Sequence, residues 1–422
     1  MITTTGGGSV IVTNDSPTTP ISINPTTITG AANLSGGGLQ VGETTNTGGI
    51  VVNASINVGV PILLVTGGDV KTTSASSLTA PALTVNAGTG IDLNGANAVP
   101  SVMLTNSSSG NIIYNSSLVG GLTVSGSNGA AGGSFHVTEA LGGLTVGGIT
   151  TNNGAVTIGA AGNVGFSAPI TAGTGSVSVT STGGAISGLD GPSSIIAGSA
   201  QLSALDGIGA TSFFQTTVGQ LGASNTSNAV QLANAGVVTI TGITNGGLIQ
   251  LDNQGAMTLN GTVQSTGSTI TVTAHSPLTT NSGADILGNG NVTLFAGASG
   301  SVNDSLTINS NVTSQNGDVI LKAGESVIVN GTTLLASENV IGNSSLNAPT
   351  GRVIVRDHLN SSLPPLLTTQ TVTLLPGVNE VVNYGIFTLE RESTDLTETG
   401  EDTTHGEGGQ YGTEPKSLPN CN

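Results

Sequence analysis

Three aspartates, Asp190, Asp206 and Asp252, come nearest to a column of carboxylates in this chain, with Lys322 and Arg352 as the later basic residues. Two carboxylates flanking a glycosidic bond would supply acid and base for sugar cleavage. Each of the three, however, also reads as a turn-forming Asp. His136, His275, His358 and His405 are isolated in a Thr/Ser-rich chain and read as surface histidines rather than metal ligands. A nucleophilic serine on a strand-to-helix elbow has no helix to sit on. The Gly-rich segments GGGS and GSNGAAGG lack the following helix N-terminus and Lys that cradle a phosphate.

Calcium and ice fare no better. GGAISGLDG (Gly183–Gly191) and LDGIG (Leu205–Gly209) are single near-misses to tandem calcium-binding nonapeptides, and both read as Asp-Gly turns. Ranks of Thr-x-Thr would be needed to match an ice surface, and only Thr269–Thr271–Thr273 has that form. Asn-x-Ser/Thr sequons such as Asn53, Asn106, Asn291 and Asn343 follow from composition and would be acceptors only in an exported protein. No catalytic, cofactor-binding or metal-binding residue is therefore expected.

The net charge is −17, from six Lys+Arg against 23 Asp+Glu. That balance repels phosphate backbones and anionic lipid, so neither nucleic acid nor a membrane surface is an expected partner. Cys421 alone permits no internal disulfide and no cysteine zinc site. The opening MITTTGGGSVIVTN has neither a basic nor an apolar signal region, and no apolar run approaches the length of a membrane span.

What positions these residues is a short strand repeated. Between Gly142 and Val179, apolar–any–apolar triplets (Leu144–Val146, Val156–Ile158, Val164–Phe166, Val177–Val179) alternate with Gly, Asn, Thr and Ser. In a strand the outer two residues of a triplet share one face. Val156 to Val177 and Leu251 to Val272 are each 21 positions, which is one lap of a coiled strand ladder. Val292 to Val319 takes 27 and Val319 to Val353 takes 34, so extra residues should sit at corners, where no stacked side chain is lost.

Outward central positions are often Thr (Thr84, Thr145, Thr239, Thr258, Thr293), and Asn-Gly recurs, as at Asn128, Asn153 and Asn245. Asn-Gly favours positive φ and could instead signal hairpins, but matching contexts recur near 20 residues rather than 8–12. The expected fold is all-β: a right-handed parallel β-helix, or solenoid, with short strands, roughly 20-residue coils and on the order of 16 turns up to residue 355. A core of Val, Ile, Leu and Ala should fill it, since aromatics are 2% and Trp is absent.

Four segments follow. Residues 1–120 form an irregular N-terminal solenoid portion; Pro17, Pro20 and Pro25 mark a loop or a less regular entry. Residues 121–355 carry the regular repeats. Residues 356–389 contain a linker (Pro364–Pro365) and capping strands around Pro376–Gly377. Residues 390–422 hold eight of the acidic residues and should form a disordered tail.

APITAGTGSVSVTSTGGAISG (Ala168–Gly188), SAQLSALDGIGA (Ser199–Ala210), NAVQLANAGVVTI (Asn228–Ile240) and GDVILKAGESVIV (Gly317–Val329) resemble the repeat region of filamentous haemagglutinin-like bacterial exoproteins. These are secreted adhesins of the two-partner route. The resemblance implies a non-enzymatic shaft, extracellular or on the outer cell surface, acting in adhesion or surface assembly. Its partners would be glycans or proteins of host or neighbouring cells, or further copies of itself. The family's N-terminal secretion domain is not visible, which makes the chain read as the later part of a larger exoprotein. Cys421 answers only half of the paired-cysteine anchor of some members. A β-helical carbohydrate-active enzyme, or a self-associating matrix protein, are the alternatives.

Overall fold

The computed structural model describes residues 10–13, 16, 18–24, 37–73, 75–297, 304–325, 327–330, 346–347, 353–356 and 381–383. These residues form no helix; they fold as a parallel β-solenoid of about 13 turns with coils of about 21 residues. The triplet pattern explains the geometry. In Ile50–Val52, Leu39–Val41 and Met257–Leu259 the two outer side chains are buried and the middle one is half-exposed. Each turn cannot cover its apolar edge alone, so it stacks on the next.

The chain divides into two compact units, Met1–Asn234 and Ala235–Asn422. In the first, an inward column runs through Ile50, Val70, Ile91, Ile112, Phe135, Val156 and Val177, each paired in parallel with the next. None of the seven exposes more than 1% of its surface. A second column passes Leu64, Val85 and Leu104. A short third ladder joins Ile56–Asn57 to Leu78–Thr79. Ile21–Ile23 is a strand on Ile50–Val52, where the proline spacing suggests a loop or irregular entry. Pro20 precedes the strand and Pro25 follows it, so neither removes a ladder donor from within.

In the second unit three ladders make each turn. Val238, Met257, Leu278 and Leu306 stack in one; Ile243, Val263, Ile286 and Val312 in the next; Ile249, Ile270, Val292 and Val319 in the third. The long spacing from Val292 to Val319 comes from the corner between Val292–Ala296 and Leu306–Ile308, while the strands keep their register. Such insertions lengthen turns, so the count is nearer 13 than 16. Val381–Asn383 extends the third ladder on Val353–Arg356. The rest of the expected capping segment and the acidic tail lie outside the described residues.

Outward threonines do line up: Thr239, Thr258, Thr279 and Thr307 follow one another in register. The Asn-Gly signal works differently from expectation. Among described non-glycine residues only Asn153 (φ 60°) and Asn228 (φ 62°) take positive φ. Asn128 is instead a buried strand residue. Its Oδ1 accepts from Asn106 Nδ2 at 2.9 Å, and its Nδ2 donates to Ser134 O at 2.9 Å. Inside a corner, the side-chain amide supplies the partners that the bent backbone lacks.

Candidate functional site

The sequence-derived aspartates have different surroundings. Asp190 is exposed in a turn. Asp206 Oδ1 accepts from Asn228 Nδ2 at 2.6 Å and Ser227 Oγ at 3.3 Å, which is corner chemistry. Asp252 lies on a strand face of the second unit, and its Oδ1 is 2.8 Å from His275 Nε2. That contact brings together two residues that the sequence holds 23 positions apart and reads separately. His136 turns outward and its Nε2 meets Thr138 Oγ1 at 3.1 Å. His358, His405 and Arg352 lie outside the described residues. Among the described residues no three His, Cys, Asp or Glu side chains gather as for a metal ion.

Asp252 belongs to an ordered strip. Four consecutive strands, Ile249–Asn253, Ile270–Ala274, Val292–Ala296 and Val319–Ala323, stack in register and turn alternate residues outward. One outward column reads Asp252, Thr273, Phe295, Lys322; its neighbour reads Gln250, Thr271, Thr293, Ile320. All eight are half-buried. Lys322 Nζ stands 6.0 Å from the centre of the Phe295 ring, at the outer reach of a cation–π contact. His275 follows its strand at the corner, and its ring reaches back one turn to Asp252. At a strand spacing of about 4.8 Å, the strip presents carboxylate and imidazole, hydroxyl, aromatic face and ammonium in succession.

The first unit offers a shallow groove of about 420 Å³. Its floor is short side chains in register (Thr123, Thr145, Gly165, Ser187), and Val119, 79% exposed, stands at its edge. Leu141, one turn on, is 58% exposed. No charged group lines this groove.

Sequence reasoning misses one pair altogether. Glu139 follows the apolar triplet Phe135–Val137 at an inward position, where its ladder neighbours are Ser116 and Ala160. It is 1% exposed. Its Oε1 accepts from the backbone N–H of Leu118 (2.9 Å), Leu141 (3.1 Å) and Gly142 (3.3 Å), holding two successive corners. Tyr114 is fully buried nearby. The Ser116 side chain lies near the Tyr114 hydroxyl and opposes the effect of burial on it, but the contact falls short of hydrogen-bond geometry, and Glu139 Oε2 also lacks a hydrogen-bond partner. The signal available in the sequence was the inward parity of positions 114, 116 and 139 within their triplets.

Burial, and then the neighbouring Glu139 carboxylate, push the Tyr114 phenol well above its ordinary pKa of 10.0. The folded state therefore holds that proton more tightly than the unfolded chain. Below about pH 10 the difference contributes a constant term; as pH rises further, stability falls. Tyr114→Phe removes an unpartnered buried hydroxyl while keeping the ring. It should raise stability by about 1 kcal/mol near neutral pH and flatten the alkaline decline. Urea unfolding of both proteins across pH 7 to about 11 checks this; a variant less stable than its parent, with an unchanged alkaline slope, refutes it.

The fold defines the chain as a parallel β-solenoid, and the outward strip of its second unit sets an Asp–His contact, hydroxyls, an aromatic ring and an ammonium on successive turns. Comparison with known proteins found no matching family model, no matching curated protein and no matching solved structure.

Proposed function

We propose that this chain is a non-enzymatic shaft, secreted or carried on a bacterial cell surface, that serves adhesion or surface assembly as part of a larger exoprotein. The observation that carries the reading is the outward strip of the second unit: recognition groups repeat at one strand spacing on a stacked scaffold. A solenoid spreads its surface laterally while each turn contacts only its neighbours, which suits extended contact better than enclosing a substrate. The outward threonine ladder and the low density of charge fit a surface built for contact with hydroxyl-rich or neutral partners.

Beads coated with the full chain should be retained on epithelial or bacterial cell layers several-fold more than albumin-coated beads. Equal retention, together with no concentration-dependent assembly in sedimentation, would remove the reading. The second reading, a β-helical carbohydrate-active enzyme, is favoured by the contact of Asp252 with His275, with Phe295 two strands further along the same outward column. Release of new reducing ends from a polysaccharide by the same preparation would establish it instead.

A further inference from the structure

We infer that the strip formed by Gln250, Asp252, Thr271, Thr273, Thr293, Phe295 and Lys322 is a binding site for a neutral oligosaccharide lying along the stacking direction of the second unit. The inference rests on the adhesive reading for its setting and names the ligand class that the reading leaves open.

Four features converge. Phe295 is one of only six phenylalanines, and it occupies an outward, half-buried strand position instead of the core. An aromatic face placed outward among hydroxyls is a platform for the apolar C–H face of a pyranose ring. Second, the positions around it carry hydrogen-bonding groups suited to sugar hydroxyls: Thr271, Thr273 and Thr293 both donate and accept, and Gln250 does likewise through its amide.

Third, the strip ends in oriented charge. His275 at 2.8 Å holds the Asp252 carboxylate, which keeps further acceptor capacity for a hydroxyl. Lys322 presents three donors above the Phe295 ring. Fourth, the groups recur at the strand spacing of about 4.8 Å, close to the advance per residue of an extended β-linked hexose chain. Successive sugars then meet successive turns.

Charge decides between glycan classes. Asp252 and Lys322 cancel, and the other strip residues named are neutral, in a chain of net charge −17. A uronic or sulfated polymer would meet one ammonium and a repelling overall field. A neutral glycan loses nothing to that field and uses every group in the strip.

The test is calorimetric titration of the full chain with neutral β-linked hexasaccharides (cellohexaose, mannohexaose, hexa-N-acetylchitohexaose) and, separately, a uronic hexamer of equal length. Saturable binding of at least one neutral hexamer is expected, with Kd raised about tenfold by Phe295→Ala and about threefold by Lys322→Gln. Phe295→Leu keeps the apolar bulk without the ring and should lose affinity to a similar extent, which covers the event that the alanine variant misfolds. Three results would overturn the proposal: no saturable binding of any neutral hexamer, affinity unchanged by Phe295→Leu, or tighter binding of the uronic hexamer. Coated beads that still adhere while no neutral hexamer binds would leave the adhesive reading standing and the saccharide site refuted.

Discussion

Replacing Glu139 with alanine will destabilise the Met1–Asn234 unit by about 4 kcal/mol. The carboxylate is 1% exposed and one of its oxygens accepts three backbone N–H groups from two successive corners. Alanine strips the acceptor from all three donors, of which the Gly142 N–H is buried and the other two partly so, and opens a void where the side chain lay. Glu139→Gln keeps an acceptor oxygen, so its loss should be about half as large; hydrogen bonds to a neutral acceptor are weaker than to a charged one. Urea unfolding of the three proteins measures the difference. An alanine variant within about 1 kcal/mol of the parent would mean that water replaces the carboxylate at no cost, and that the corner does not depend on it.

The second large effect concerns how closely the turns approach one another. A Cβ added to Gly154 would lie 1.9 Å from the carbonyl oxygen of Gly133, one turn earlier. Gly175, one turn later, is in the same relation to Gly154, at 2.3 Å. Backbone sits directly on backbone at this corner, and no flexible side chain can move aside. Gly154→Ala should therefore cost about 3 kcal/mol through overpacking. Hydrogen exchange should show the loss of protection concentrated in Phe135–Glu139, Val156–Ala160 and Ser176–Ser181, the strands that flank the corner. Unchanged stability would mean the turns separate there without penalty.

Much of the fold is legible in the residue pattern because stacking demands little more than parity. Val156 and Val177 announce the coil length, and the structure pairs them. The insertion between Val292 and Val319 is also visible, since only a corner can absorb about six extra residues without shifting a ladder. The asparagines are legible as corner residues but not in their manner of working. Asn128 and Asn153 both precede glycine, yet one turns inward to bond the backbone while the other bends its own chain to positive φ.

The candidate site is the least legible part. Asp252 and His275 lie 23 residues apart with nothing between them to suggest contact. Phe295 and Lys322 are 27 apart, a spacing that includes a corner insertion. The alignment of such outward residues depends on where each insertion falls.

By itself the sequence determined an all-β chain of short strands in coils of about 21 residues, with a mainly aliphatic interior into which Tyr114, Phe135 and Phe214 are also packed, because side-chain parity and turn chemistry are local properties. The tertiary structure alone decided which outward residues share a column, and it alone revealed a buried carboxylate holding two corners. Both depend on exact register between successive turns, and register is set by the whole stack: a one-residue slip would send every inward side chain outward.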